Sequence, residues 1–277
     1  MMNKVEIFKV LWHHRALAEK RSPIYSQNRA AKFIIGIMSV FVIGYLMFFA
    51  VLFSLMANDS RSLTTMEFIM SLLPFVLTID FGVRWLAQQT PSQIVKQYIL
   101  LPLPRYACID SFIIRSIFNW DNTIWLALLI PYCIMSVLFS YGFGACVMVV
   151  STYIILIFAN SQWYAIVRSL VVSHIAWWLL PIAVYCGIFS PLFFDGLPTE
   201  KSFDNFIDLY SYIGTMLEKG NLLPIFFALV LLGLMAIINR KVQYSAVMTE
   251  LGRTQKVHKM GRISKLTFLN RYGEIGE

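Results

Sequence analysis

The chain has 277 residues, of which 58% are hydrophobic and 14% are charged, and its mean hydropathy is +0.67. Soluble domains carry about 25% charged residues, so this composition excludes a soluble globular protein. The net charge of +8 comes from basic residues near the ends of apolar stretches and in two flanking segments. That distribution is typical of membrane anchoring and argues against nucleic-acid binding.

Residues 1–32 form an N-terminal segment that precedes the first stretch long enough to span a membrane. Within it, EIFKVLWHHRAL at residues 6–17 places apolar side chains on one side of a helix and basic side chains elsewhere. This pattern predicts a helix that lies in the membrane interface. The segment has neither the apolar core nor the cleavage site of a signal peptide, so we expect the first spanning helix to serve as the targeting signal.

A transmembrane domain of six helices is predicted over residues 33–239, because membrane helices need about 17–25 residues each. The clearest signal is the 46-residue run from Asn122 to Val167, which contains no Asp, Glu, Lys or Arg. A straight helix of that length would be about twice as long as the ~30 Å bilayer core, so the run must fold back as a hairpin near Gly142 and Gly144. The six predicted spans are residues 33–56, 68–87, 123–140, 143–167, 172–194 and 222–239.

The positions of the basic residues orient these spans through the positive-inside rule. With the N-terminus in the cytosol, 20 of the 23 Lys and Arg residues fall on the cytosolic side. The outer side then holds Arg61, Lys201 and Lys219. We therefore expect both termini in the cytosol, with residues 240–277 as a basic cytosolic tail.

Two segments between spans are predicted to form short helices outside the bilayer core. On the cytosolic side, residues 88–118 are broken by prolines, and a helix is expected from Pro91 to Leu100, with Pro91 in its first turn. On the outer side, residues 195–221 contain an amphipathic stretch with Ser202 as its expected N-cap. We expect this second helix to rest on the outer membrane face.

Candidate chemistry centres on Asp80 and Arg84, which lie four residues apart in the second predicted span and can pair on one helix face. Ionisable residues inside a membrane indicate a functional site by default. We favour a structural pair, because Arg84 can reach the interface while Asp80 neutralises it. The four histidines and four cysteines show no metal-binding spacing, and the sequence has no GxxxxGK[ST] motif. We therefore predict no metal or cofactor in this chain, and any use of ATP needs a partner.

The order of the elements resembles the membrane subunit of type-2 ABC exporters. The similar features are an interfacial helix, two spans, a cytosolic helix followed by a Leu-Pro-x-Pro-Arg stretch, a tight hairpin of two spans, and an amphipathic outer segment before the sixth span. The resemblance implies that residues 91–100 are a coupling helix that docks on a separate ATP-binding cassette ATPase, which would hold ATP and Mg. The implied docking residues are Gln93, Ile94, Lys96, Gln97 and Arg105.

Two stretches, QYILLPLPRYACIDSFIIRS and the closing LNRYGEIGE, resemble a bacterial permease-like family of unknown function. Members of that family are longer and have a second set of spans after the part that this chain covers. The resemblance implies a location in the bacterial cytoplasmic (inner) membrane. It also implies a second permease half, which would be a copy of this chain or a continuation of it.

Three classes of function are compatible with these residues. The leading hypothesis is a permease subunit, itself not an enzyme, that exports an amphipathic or lipid-like solute with a separate ATPase. The second is an ion-coupled transporter or channel, in which Asp80 or Asp110 would titrate or coordinate an ion. The third is a membrane enzyme or assembly scaffold, and the lack of paired carboxylates or histidine clusters weakens it.

Overall fold

A computed structural model gives the fold, and it describes residues 4–20, 29–88, 106–193 and 199–273. All regular secondary structure in these ranges is helical. By length and composition, five helices can cross a membrane, and a bent pair makes a sixth crossing if it is counted as one span. The predicted all-α polytopic architecture is confirmed.

The helices are named here in chain order. They are α1 (Lys4–Lys20), α2 (Arg29–Asp59), α3 (Thr65–Ser71), α4 (Leu73–Ala87), α5 (Ala107–Ile117), α6 (Trp120–Thr123), α7 (Leu126–Tyr132), α8 (Leu138–Tyr141), α9 (Phe143–Ser173), α10 (Leu179–Phe189), α11 (Glu200–Glu218) and α12 (Leu223–Gly273). A π-helical turn, Cys133–Val137, joins α7 to α8, and two 3-10 turns, Ile175–Trp178 and Ser190–Phe193, flank α10.

The second span consists of α3 and α4 and starts from a capping box. The Thr64 hydroxyl accepts from the Glu67 backbone N–H at 3.3 Å, and the Glu67 carboxylate accepts from the Thr64 backbone N–H at 2.9 Å. These two bonds satisfy amide groups that the first helical turn leaves without partners. The span therefore begins at Thr65, three residues before the predicted start.

The predicted third span follows a bend: Ala107–Thr123 meets Leu126–Tyr141 at 56°, and only together do the two pieces reach the length and apolarity of a membrane span. The sequence predicted a start at residue 123, because residues 88–118 are polar and broken by prolines and were assigned to the cytosolic side. In the structure, residues 107–117 form α5, whose apolar side is buried against protein. The predicted hairpin turn lies at Gly142, whose φ of +83° is a left-handed conformation that glycine adopts without strain.

Helix α9 lies at the centre of the bundle and contacts α4, α5 and α12. Its residues Val149, Tyr153 and Ile157 are fully buried in the main apolar core. The Tyr153 hydroxyl donates to the Ile69 carbonyl at 3.0 Å, and the Tyr132 hydroxyl donates to the Thr65 carbonyl. The hydroxyl groups of Tyr132 and Tyr153 thus bond both sides of the hairpin to backbone carbonyls of the second span.

Helix α1 packs against protein on its apolar side. Ile7 and Leu11 are buried against α5 and against Val247 of α12. Arg115 of α5 donates to the Trp12 carbonyl at 3.2 Å and lies over the Trp12 ring. The sequence interpretation assigned this apolar side to the membrane interface, and amphipathicity alone could not distinguish a lipid surface from a protein surface.

Helix α11 packs tightly on α3. A Cβ added to Gly214 would lie 2.5 Å from the Glu67 Cα, and the Thr215 hydroxyl donates to the Glu67 carboxylate at 2.8 Å. The predicted N-cap, Ser202, is wrong. Thr199 caps the helix and accepts from the Ser202 backbone N–H at 3.4 Å, while Ser202 is fully buried in the first turn.

Candidate functional site

The docking residues implied by the resemblance, Gln93, Ile94, Lys96, Gln97 and Arg105, lie outside the described residues, as does the predicted helix from Pro91 to Leu100. The structure does describe what holds the two ends of this segment. It also describes Asp80 and Arg84 completely. The candidate site is built from these two regions.

Asp80 and Arg84 form an ion pair on α4. The Arg84 Nε donates to Asp80 Oδ2 at 2.8 Å, and the residues are only 2% and 3% exposed for Arg84 and Asp80. The spacing of four residues brings them onto one helix face, as the sequence indicated. A pair this deeply buried needs further hydrogen bonds to offset the loss of water.

Those further bonds come from the third and fourth spans. The Trp125 Nε1 donates to Asp80 Oδ1 at 2.8 Å, and the Asn160 Nδ2 donates to Asp80 Oδ2 at 2.8 Å. Together with Arg84, Asp80 therefore accepts three hydrogen bonds. The three donors are the Arg84 guanidinium and the neutral side chains of Trp125 and Asn160, and they come from three different spans.

Asn122 completes the set on the Arg84 side. Its Oδ1 accepts from Arg84 Nη2 at 2.6 Å, and its Nδ2 donates to the carbonyls of Ser116 and Ile117 at 2.8 and 2.6 Å. These carbonyls are at the end of α5, where helix geometry leaves them without intrahelical partners. Asp80, Arg84, Asn122, Trp125 and Asn160 are named the charge-pair network. Sequence reasoning missed its last three members, because Asn and Trp inside an apolar run carry no charge signal.

The segment that contains the predicted docking helix is anchored to this region at its first end. Gln88, the last described residue before it, donates to Asp121 at 2.7 Å, and its carbonyl accepts from the Tyr164 hydroxyl at 3.2 Å. Asp121 is next to Asn122 in the chain. Gln88 thus lies directly beside the charge-pair network.

The second end of the same segment is anchored to α5 and α12. Tyr106 packs against Tyr244, with ring centroids 5.1 Å apart, and Arg240 lies over the Tyr106 ring at 4.4 Å. Arg240 also pairs with Asp110 at 2.7 Å, with both side chains more than 40% exposed. Tyr106 and Asp110 therefore link the start of α5 to the last span.

A second polar cluster joins α5, α9 and α12, and it contains no charged residue. Gln162 donates to Ser116 at 3.0 Å and accepts from Asn239 at 2.7 Å. Gln243 donates to the Ala165 carbonyl at 3.0 Å and to Ser169 at 2.8 Å. Hydrogen bonds from side-chain amides of this kind stabilise the association of membrane helices. Because Ser116 also accepts from Asn122 through its carbonyl, the two clusters meet at Ser116.

These clusters consist of one buried ion pair and of amide, indole and hydroxyl groups that bond across the spans. In the part of the chain that the structure describes, no group of three His, Cys, Asp or Glu residues is arranged to hold a metal ion. Both oxygens of Asp80 are engaged by protein donors, so ion coordination by Asp80 would require the network to open. Asp110, the other carboxylate considered for ion coupling, pairs with Arg240 at the surface.

Comparison with known proteins gives one match. Residues 15–277 match the family described as "Family of unknown function (DUF5687)". No curated protein and no solved structure matches the chain.

Proposed function

We propose that this chain, which belongs to the DUF5687 family of unknown function, is the membrane subunit of an ATP-binding cassette transporter. In this proposal it is a permease half without its own ATPase site, and a separate ATPase supplies ATP hydrolysis. The solute is amphipathic or lipid-like and is exported through the bacterial cytoplasmic membrane.

The observation that carries the proposal is the anchoring of residues 89–105 at both ends. Gln88 holds one end to Asp121 and Tyr164, and Tyr106 holds the other to Tyr244 and Arg240. A partner that pushes on this segment would move the second, third and last spans together. That is the mechanical requirement for a coupling element in an ATP-driven permease.

The pattern of exposure supports a working unit that contains a second permease half. In the most apolar windows of three spans, Gly36–Asp59, Ile175–Phe193 and Leu223–Thr249, only 17%, 17% and 11% of the residues are buried. In the same bundle, the windows of Thr65–Ala87 and Phe143–Ser173 have 50% and 39% of their residues buried. The exposed spans offer ample surface for a second half, and lipid covers the remainder.

The ion-coupled alternative is less well supported. An ion-coupled carboxylate must exchange between protonated or ion-bound states, and Asp80 is held by three donors from three spans. Losing any of these bonds would leave a buried charge short of partners, which is unfavourable in a low-dielectric interior. This arrangement favours a fixed structural pair.

The decisive experiment replaces the central apolar residue of the predicted docking helix. Ile94→Glu should release the ATPase and abolish stimulated ATP hydrolysis, because helix-in-groove contacts depend on central apolar anchors. Leu209→Glu, at an exposed position of α11, is the matched control and should retain the ATPase. Co-purification of a fully stimulated ATPase with Ile94→Glu would contradict the proposal, and so would transport by the isolated chain.

A further inference from the structure

Helix α1 keeps one side exposed after its apolar side has packed against protein. Ile7 and Leu11 are buried on α5 and the last span, whereas Lys9, His13 and His14 are exposed. Lys9 and His13 are four residues apart and His14 follows directly, so the three side chains lie close together on the helix surface. Within the described ranges, none of the three makes a hydrogen bond or an ion pair. These three residues are named the α1 edge.

The neighbours of α1 indicate its level in the membrane. Val247, which α1 contacts, lies near the end of the last span, Leu223–Thr249. On α5, against which α1 packs, Ile114 and Phe118 are 42% and 71% exposed. Lipid chains cover large apolar side chains that are exposed on a membrane bundle. Helix α1 therefore lies where the hydrocarbon core of the bilayer meets the headgroups.

Aromatic residues of α1 are consistent with this level. Phe8 and Trp12 are half-buried, with ring centroids 5.5 Å apart, and the Arg115 guanidinium lies over the Trp12 ring at 5.1 Å. Tryptophan is enriched at the level of the headgroups, because its ring is apolar and its N–H is polar. Val10, next to Lys9 in the chain, is 45% exposed and adds an apolar contact beside the α1 edge.

The surroundings of the α1 edge favour an anion. Its lysine is a cation, and each imidazole has an N–H that can donate in either protonation state. Arg115 adds a second cation from α5. Glu6 is the acidic residue on the same side of α1, one turn before the edge. Asp110, the acidic residue of α5, already pairs with a cation of the last span, so it does not neutralise the edge.

We propose that the α1 edge binds the phosphate group of an anionic phospholipid such as phosphatidylglycerol. The Lys9 ammonium and the imidazole N–H groups donate to the phosphate oxygens, while Val10 and Trp12 contact the apolar part of the lipid below the headgroup. A zwitterionic phospholipid has the same phosphate, but its own ammonium group opposes binding to a cationic surface. The edge therefore selects lipids by net charge.

The membrane supplies such a partner. The predicted orientation places the α1 edge in the cytosolic leaflet, where anionic lipids attract basic segments near the surface. Since the apolar side of α1 is occupied by protein, contact with the membrane falls to its basic edge. This binding needs no ATPase and no transport, so the inference does not depend on the proposed function.

The test uses the full-length protein in nanodiscs and two photoreactive probes. One is a phosphatidylglycerol and the other a phosphatidylcholine, and both carry a diazirine next to the headgroup. After irradiation, mass spectrometry locates the adducts on α1. Labelling by the phosphatidylglycerol probe should exceed labelling by the phosphatidylcholine probe at least about fivefold, the effect of one surface cation. High salt should reduce this preference, because exposed charges are screened.

Variants at the α1 edge test which side chains cause the preference. Lys9→Gln should lower it about fivefold, and Lys9→Arg, which keeps the charge, should leave it unchanged. The triple variant Lys9→Gln/His13→Gln/His14→Gln should label equally with both probes. Lys201→Gln, at an exposed position of α11, is the matched control and should label like the wild type. Because all these positions are exposed, the unfolding temperature should stay the same.

Equal labelling of α1 by the two probes in the wild type would overturn the inference, as would a preference that the triple variant retains. Labelling of α1 by neither probe would also overturn it, because α1 would then face water or another protein. If the triple variant does not fold, an unchanged preference in Lys9→Gln overturns it instead. The nanodiscs contain no ATPase, so these outcomes leave the proposed function untouched. Failure of the ATPase experiment would likewise leave the lipid preference standing.

Discussion

Arg84 on the second span donates to Asn122 at 2.6 Å, and the same Asn122 side chain holds the last carbonyls of α5. One amide therefore links an intramembrane cation to the point where the third span bends. Since α5 begins directly after residues 89–105, any displacement of that segment reaches Arg84 through two side-chain contacts. The ion pair thus lies on the route that the proposed coupling requires.

We predict that replacing one partner of the Asp80–Arg84 pair destabilises the fold more than replacing both partners. Asp80→Asn or Arg84→Gln should each cost about 3–5 kcal/mol, because one buried charge is left uncompensated. The double variant should cost less than either single variant. Thermal unfolding of the purified proteins measures all three.

The exposed Asp110–Arg240 pair is the control for this experiment. Its side chains are 42% and 44% exposed, so Asp110→Asn and Arg240→Gln should each cost less than about 1 kcal/mol. Single variants at Asp80 and Arg84 that keep full stability and still abolish transport would contradict the structural interpretation. They would favour an ion-coupled site.

We predict that Gly214 cannot accept a side chain. In Gly214→Ala, the new Cβ would lie 2.5 Å from the Glu67 Cα and 2.7 Å from the Met66 carbonyl oxygen, so α11 must move away from α3. Overpacking of this kind costs about 1–3 kcal/mol. Gly233→Ala, where no atom lies within 4 Å of the new Cβ, should leave stability unchanged or raise it by up to about 1 kcal/mol. Equal unfolding temperatures for the two variants would exclude the close packing of α11 on α3.

We predict the membrane orientation from the 20-to-3 bias of basic residues. A cysteine at Asn205 of α11 should react with a membrane-impermeant maleimide from outside, and one at His174, between the fourth and fifth spans, only from the cytosolic side. Both positions are exposed. Ser202 is unsuitable, because its burial would block labelling from either side.

The native Cys186 is exposed and should first be replaced by alanine. Labelling of intact cells and of inverted vesicles then gives the comparison. Reaction of the Asn205 cysteine in inverted vesicles alone would reverse the topology. It would also remove residues 89–105 from the reach of a cytosolic ATPase.

We predict that the uncharged cluster contributes stability through its amides. Gln162→Leu removes the bonds to Ser116 and Asn239 and should cost about 0.5–2 kcal/mol, the range for hydrogen bonds between membrane helices. Thr249→Val, at an exposed position of α12, is the control and should change stability by less than about 0.5 kcal/mol. Unfolding temperatures measure both variants, and a neutral Gln162→Leu would mean that the hydrogen bonds of Gln162 add no stability to the contact between α9 and α12.

The number of crossings and the hairpin were predictable, because both follow from the lengths of uncharged runs. The ion pair was also predictable, since two charges four residues apart share a helix face. Asn122, Trp125 and Asn160 were not, because their importance depends on which spans become neighbours. Residues 88–118 were assigned as a whole to a cytosolic segment because they are polar and broken by prolines, although Ala107–Ile117 is a helix that buries Ile109 and Phe112.

The anchoring of Gln88 and Tyr106 also has an entropic consequence. The folded bundle fixes Gln88 and Tyr106, so the entropic cost of bringing together the ends of the 17 residues between them is met during folding. A binding partner would not have to bring the ends together. The entropic cost of association is smaller when part of the binding segment is already ordered before the partner arrives. Variants that release Gln88 from Asp121 should therefore slow the association of the ATPase even though they alter no contact with it.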